Sequence, residues 1–231
     1  MILLRENYLK FRYLNKFIAS KKIKKEAYKQ NFNKKEKFKK FLSKKNFSNY
    51  WFLNNFDIFH YFLPTNKNKR FKYLEIGSWE GLSALNILFF FKNVDGKFID
   101  LWDSPNFNSL PLTNNFKKIE KNFNYNLKKF KNFKKIKKDS SIALRELLKN
   151  KNKFDYIYVD GAHTGEDVLS DAIESFKVLN KNGIMFFDDA MHKFNNKIKY
   201  QVFEGLKYFL KMFENEIEIL YLRNILVIRK K

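Results

Sequence analysis

With 231 residues the chain suits one domain plus an extension, and its 45% hydrophobic content, including 28 Phe, fills a sizeable core and excludes a disordered chain. The absence of cysteine excludes a disulfide framework, a thiolate metal site and a cysteine nucleophile, so any metal must take oxygen or imidazole ligands. The formal charge of +23 sits mostly at the front: residues 1–70 carry 19 Lys+Arg against 4 Asp+Glu, net +15, and residues 71–231 carry 28 against 20, net +8. Such charge keeps a nucleic-acid partner as an alternative. The joint over-use of Lys, Asn, Phe and Ile, as A/T-rich codons would produce, argues against reading all of it as a binding surface. No apolar run approaches the roughly 20 residues that span a bilayer, so no transmembrane segment is expected and a cytoplasmic location is the default.

In chain order, residues 1–45 show helical spacing with many lysines, and the run from Lys21 to Lys45 reads as a solvated helix or a loosely ordered arm. Residues 47–63 are rich in aromatics, stop at Pro64, and are expected to pack onto the next domain; His60 lies here as a packing residue. The division is therefore a basic helical extension over 1–68 and an α/β domain over 69–231. From Phe71 short apolar runs alternate with helical segments, the mark of βαβ units and a parallel sheet. The spacing predicts strands near 72–76, 97–101, 133–137, 154–160, 184–188, 216–222 and 225–229, with helices near 80–92, 114–129, 140–150, 166–181 and 196–213. The turn around Arg223-Asn224 is too short for a crossover helix, so the last two strands should pair antiparallel. The expected fold is a Rossmann-like, doubly wound, seven-stranded, mostly parallel sheet ending in an antiparallel hairpin.

In an open α/β sheet ligands bind beyond the carboxyl ends of the strands, and acids and glycines gather there in this chain. Strand one runs into Glu75-Ile-Gly-Ser-Trp-Glu-Gly81, where Gly77 permits a tight turn, Ser78 comes next, and Gly81 lets the next helix start close to the sheet. Glu75 and Glu80 flank the turn; their charge opposes a pyrophosphate and favours a ligand with ammonium and sulfonium groups. With the missing third glycine, they also disfavour a dinucleotide-dependent oxidoreductase. Asp100, 25 positions after Glu75, is the ribose ligand, with Asp103 as the fallback. After strand three, Asp139-Ser140 either flank an adenine or Ser140 caps the next helix. Strands four and five end in Asp160-Gly-Ala-His163 and Asp188-Asp189, so three carboxylates converge; oxygen ligation of Mg²⁺ or Ca²⁺ is one reading, helix capping and cofactor contact without a metal the other. His163, more than His192, is placed to take a proton from a substrate hydroxyl.

Phe154-Asp-Tyr-Ile-Tyr-Val-Asp-Gly-Ala-His-Thr-Gly-Glu-Asp-Val-Leu-Ser-Asp-Ala through Asn182-Gly-Ile-Met-Phe-Phe-Asp-Asp189, together with Tyr73-Leu-Glu-Ile-Gly-Ser-Trp-Glu-Gly-Leu-Ser83, Phe98-Ile-Asp-Leu-Trp-Asp103 and Tyr50-Trp-Phe-Leu-Asn-Asn55, resembles the class I methyltransferases. Within these it is most similar to a bacterial family related to the macrocin-type and other sugar or small-molecule O-methyltransferases. The resemblance covers roughly 47–192. It implies S-adenosylmethionine as cofactor, bound by Glu75, Gly77 and Asp100, and Mg²⁺ at Asp160, Asp188 and Asp189. It also implies in-line methyl transfer to an oxygen nucleophile of a small-molecule or glycan acceptor, with His163 as base. Gly165, where a larger residue is common in that family, and Lys181-Asn-Gly183, in place of Pro-Gly-Gly, depart from the pattern. Without cysteine, a cysteine adduct at cytosine C5 is excluded, and with prolines only at 64, 105 and 111 the Asn/Asp-Pro-Pro-aromatic loop of amino-group methyltransferases is missing. A homo-oligomer is compatible with the sequence, which does not define the oligomeric state.

Overall fold

The computed structural model describes residues 8–102, 116–192 and 201–231. Its strands are β1 (Phe71–Ile76), β2 (Val94–Asp100), β3 (Phe133–Lys137), β4 (Phe154–Val159), β5 (Leu179–Phe187), β6 (Ile217–Leu222) and β7 (Leu226–Lys230). They form one sheet in the order β3-β2-β1-β4-β5-β7-β6. Strands β1 to β5 pair parallel and β7 runs antiparallel to both β5 and β6, which is the expected mostly parallel sheet with an antiparallel end. The inner strands are apolar on both faces because helices cover both, so they read as nearly continuous hydrophobic runs. The chain order reverses between β1 and β4, and the carboxyl ends of these two strands open the crevice in which such folds bind ligands.

The helices are α1 (Tyr8–Arg12), α2 (Leu14–Leu42), α3 (Phe56–Phe62), α4 (Leu82–Phe90), α5 (Phe116–Leu127), α6 (Ser140–Lys149), α7 (Gly165–Val178) and α8 (Val202–Met212). Helix α4 starts two residues later than the spacing predicts because Gly81 takes a left-handed φ of 83° ahead of it. Helix α7 ends at Val178 rather than 181: Leu179 already pairs with Phe154, and a turn through Asn182, φ 60°, carries the chain into the main run of β5 from Ile184. Asp103 and residues 196–200 of the last expected helix lie outside the described residues.

The N-terminal helices build one layer of the core. Ala27, Phe38 and Leu42 of α2 and Phe56, Ile58 and Phe59 of α3 join Leu85, Phe98, Tyr158 and Phe186 in a single hydrophobic cluster. The opposite face holds Leu144, Ala172, Phe176, Leu206 and Phe209 from α6, α7 and α8. The lysine run of α2 is thus neither a loose arm nor wholly solvated, since Ser20, Ala27, Asn31, Phe38 and Leu42, at spacings of four and seven, turn inward on one face. The same helix blunts the exposed edge of the sheet, where the Leu222 N–H donates to Ser20 Oγ at 2.9 Å. Lower down, Asn31 Nδ2 donates to the Asp57 carbonyl at 3.1 Å and Lys35 pairs with the Asp57 carboxylate at 2.9 Å.

Phe59 of α3 is fully buried, with Phe186, Phe52, Tyr158 and Tyr73 rings at 4.7, 5.3, 5.4 and 6.2 Å. Truncation of so enclosed a ring costs about 3–5 kcal/mol. Phe59→Ala should therefore lower Tm in thermal unfolding by roughly 10 °C; an unchanged Tm would mean that the N-terminal helices do not belong to the core.

Candidate active site

The loops after β1, β2 and β4 are stitched together by their backbones. The Gly77 N–H donates to the Ile99 carbonyl and the Asp160 N–H to the Ile76 carbonyl, both at 2.9 Å. Gly77 has φ 82°, and a Cβ there would lie 1.9 Å from the Asp160 carbonyl oxygen, so no side chain fits between the two loops. Gly81 serves a different neighbour from the one expected: an added Cβ would strike Leu127 at 2.7 Å and Phe123 at 2.9 Å, so its absence admits α5 and not the sheet.

Glu75, at the end of β1, is fully buried. Its Oε2 accepts from the Tyr73 hydroxyl at 2.9 Å, while Oε1 and the neighbouring Ser78 hydroxyl are enclosed without a hydrogen-bond partner. Burial pushes the Glu75 carboxyl up to about 7 in spite of the Tyr73 donor and the Ser78 and Ser83 hydroxyls close by. Glu80 does not share this environment. Its carboxylate accepts from the Ser48 hydroxyl at 2.9 Å and from Asn122 Nδ2 at 2.7 Å, and it pins the N-terminal segment to α5. The carboxylate enclosed behind the turn is therefore Glu75, while Glu80 spends its oxygens on the N-terminal segment and α5.

Asp100 accepts the Trp79 N–H on one oxygen and the Trp102 N–H on the other, both at 2.8 Å, and Trp102 Nε1 donates to the Trp79 carbonyl at 2.7 Å. Both tryptophans hold positive φ, 48° and 43°. Such backbone costs about 1–3 kcal/mol per residue and persists only where its surroundings impose it. Burial raises the Asp100 carboxyl, and the backbone N–H groups of Trp102, Trp79 and Leu101 partly offset this. A carboxylate offers about four acceptor sites, so Asp100 keeps room for a further donor.

Asp139, rather than Ser140, caps α6: it accepts the Ser141 and Ile142 N–H groups at 2.9 and 3.3 Å. Ser140 turns instead toward Asp171, a nearly buried acid on α7 whose carboxyl is pushed up to about 7 by burial.

At the ends of β4 and β5 the acids divide. Asp160 Oδ1 and Asp189 Oδ2 lie 3.9 and 3.5 Å from His163 Nε2. Ligand atoms of these three residues all fall within 4.8 Å of one another. Asp188 is engaged separately, accepting from the Tyr158 hydroxyl, Asn55 Nδ2 and the Asp189 N–H. Burial first, then the charges of Asp188 and Asp189, hold the Asp160 carboxyl well above the usual carboxylate range, and burial also raises that of Asp188. Crowded oxygen and imidazole donors of this kind suit a hard divalent cation. A recess beside them is lined by Asp160, Gly161, His163, Val168, Asp188 and Val202. His192 is exposed near this edge, and His60 is buried elsewhere, its Nε2 2.9 Å from Asn86 Oδ1 and its pKa depressed to about 3 by burial.

Sequence reasoning missed the donors that hold these acids: Tyr73, Tyr158, Asn55 and the Trp79/Trp102 backbone. Tyr73 had a readable signal, since it lies two positions before Glu75 on one strand face. Asn55 had none, being 133 residues from Asp188.

The model of a methyltransferase-domain family matches residues 74–190, slightly more than half of the chain. Among curated proteins no sequence matches it. Among solved structures, a putative caffeoyl-CoA O-methyltransferase from Staphylococcus aureus is similar with TM-score 0.57 and 15% identity over 92% of this chain and 99% of that one. An O-methyltransferase from Bacillus cereus in complex with SAH (S-adenosylhomocysteine) has TM-score 0.53 and 12% identity over 69% and 74%. MycE, a methyltransferase of the mycinamycin biosynthetic pathway solved with Mg, SAH and mycinamycin VI, has TM-score 0.55 and 16% identity over 80% of this chain and 50% of that one. The chain thus spans half the length of MycE, and at these identities the likeness speaks for the fold. The matched segment begins in β1, ends just after Asp189 and takes in every loop described above, so the chain belongs to this methyltransferase-domain family.

Proposed function

We propose that the protein is an S-adenosylmethionine-dependent O-methyltransferase of the macrocin-type group that acts on a sugar or other small-molecule hydroxyl in the cytoplasm. The observation that carries this reading is the enclosed, partnerless Oε1 of Glu75 beside the Gly77 turn, with the doubly anchored Asp100 on the adjacent strand. An orphaned carboxylate oxygen calls for a donor, and a ligand with an ammonium group supplies one; Asp100 has lone pairs left for ribose hydroxyls. Asp139 and Ser140 lie at the head of α6, where an adenine would border them. The family membership and the SAH in the B. cereus and MycE structures support the same cofactor.

When bound, S-adenosylmethionine supplies a sulfonium methyl for in-line transfer. The residues of this chain align the acceptor and take its proton. His163 stands at the edge of the recess with Asp160 Oδ1 and Asp189 Oδ2 at 3.9 and 3.5 Å from Nε2, where its imidazole is placed to take the acceptor's proton. Asp160 and Asp189, with Asp188 alongside, would hold Mg²⁺, which would lower the pKa of an acceptor hydroxyl. Tyr50 and Trp51 are 47% and 59% exposed on the turn that leads to Asn55, and they offer aromatic faces to an acceptor. No helix of the described residues is long and apolar enough to cross a membrane.

Calorimetric titration with S-adenosylhomocysteine should give roughly micromolar binding, weakened about 10- to 100-fold by Asp100→Ala, as expected for loss of charge-assisted hydrogen bonds; a wild type that does not bind sinks the reading. Because Glu75 is neutral below about 7 and charged above it, affinity should fall on acidification, by up to about tenfold per pH unit. Glu75→Gln should bind weakly with a flat profile, and parallel profiles for the two proteins would remove Glu75 from the site. Mg²⁺ alone should raise the wild-type Tm by mass action and leave the Asp160→Asn/Asp189→Asn variant unmoved. No shift in the wild type would discard the magnesium and keep the cofactor.

A further inference from the structure

Helix α2 presents an outward face that the fold does not use. Leu14, Ile18, Tyr28 and Phe32 are 46%, 55%, 53% and 44% exposed. At 100° per residue they fall within about 80° of one another, on one side of the helix, as two pairs, Leu14/Ile18 and Tyr28/Phe32, with Lys21 and Lys25 between them. Lys21, Lys22, Lys25 and Lys29 lie on and beside this face, all exposed, and no carboxylate other than Glu26 comes within ion-pair distance of any of them among the described residues. The helix holds eleven lysines against two glutamates, net +9, and both glutamates are engaged, Glu26 with Lys22 and Tyr61 and Glu36 with Lys39.

The inner face is anchored by Ser20 to β6, Asn31 to the Asp57 carbonyl, and Phe38 between Phe56 and Phe89, so the helix is displayed as a rigid ridge.

We propose that this face of α2 docks the protein on an anionic phospholipid surface, lying in the interface without crossing it. The chemistry favours a bilayer over the alternatives. A headgroup layer with negative charge meets the lysines, whose methylene stems reach along the apolar side chains while their ammonium groups stay with phosphate. The same layer takes up Leu14, Ile18 and Phe32 at the acyl boundary. A nucleic-acid strand would satisfy the lysines and could stack on Tyr28 and Phe32, but it offers nothing to the aliphatic Leu14 and Ile18.

The test is co-sedimentation of the full chain with vesicles of phosphatidylcholine alone and of phosphatidylcholine mixed with phosphatidylglycerol. Binding is expected to the mixed vesicles only, to weaken with added salt, and to drop about tenfold or more in both Ile18→Glu/Phe32→Glu and Lys21→Glu/Lys25→Glu. The milder Ile18→Ser and Phe32→Ser variants serve if a thermal melt shows the glutamate pair to be misfolded. No sedimentation of wild type with mixed vesicles overturns the proposal. So does an apolar variant that sediments like wild type, since charge alone then accounts for binding, as it would for RNA. A dimer in sedimentation velocity that Ile18→Glu/Phe32→Glu dissociates, without vesicle binding, overturns it in favour of a contact between copies of the chain.

Discussion

The structure turns on the contact between Gly77 and the backbone of Asp160. With a Cβ 1.9 Å from a carbonyl oxygen excluded, only glycine lets the loops after β1 and β4 close on one another. That closure, with the Gly77 and Asp160 backbone bonds, sets the ends of β1, β2 and β4 side by side. Glu75, Asp100 and Asp160 then lie on one rim because their strands are neighbours, and the position of each acid is set by strand order rather than by its own contacts.

The rim concentrates charge where water is scarce. Burial raises Glu75, Asp100, Asp160 and Asp188 together, and such a group of acids is stable only when donors or cations answer it. The protein answers some of them itself: Tyr73 serves Glu75, two tryptophan N–H groups serve Asp100, and Tyr158 with Asn55 serves Asp188. Oε1 of Glu75 is left over, as is the charge repulsion around Asp160. A methyltransferase-family site whose unmet electrostatic demand is for positive charge accords with a cationic cofactor.

The N-terminal segment contributes to both fold and site. Its aromatic half fills the layer over β1, β4 and β5, Asn55 and Ser48 reach Asp188 and Glu80 at the strand ends, and Asn46 bonds to Asn126 of α5. Its lysines occupy the face left over after this packing, which is why charge density there coexists with burial one turn away.

By itself the sequence determined the alternation of strands and helices, the antiparallel end and the acids at the strand ends, because periodicity and turn residues act locally and a doubly wound sheet places strand ends by rule. It also pointed to Gly77 and to His60 as packing. Tertiary structure alone decided which neighbours each group meets. Gly81 makes room for α5, Glu80 binds Ser48 and Asn122 rather than facing a ligand, and Asp139 takes the cap that the spacing offers to Ser140. The burial of α2 and the three donors on Asp188 were likewise invisible, since they join segments up to 202 residues apart and arise from packing that no local pattern encodes.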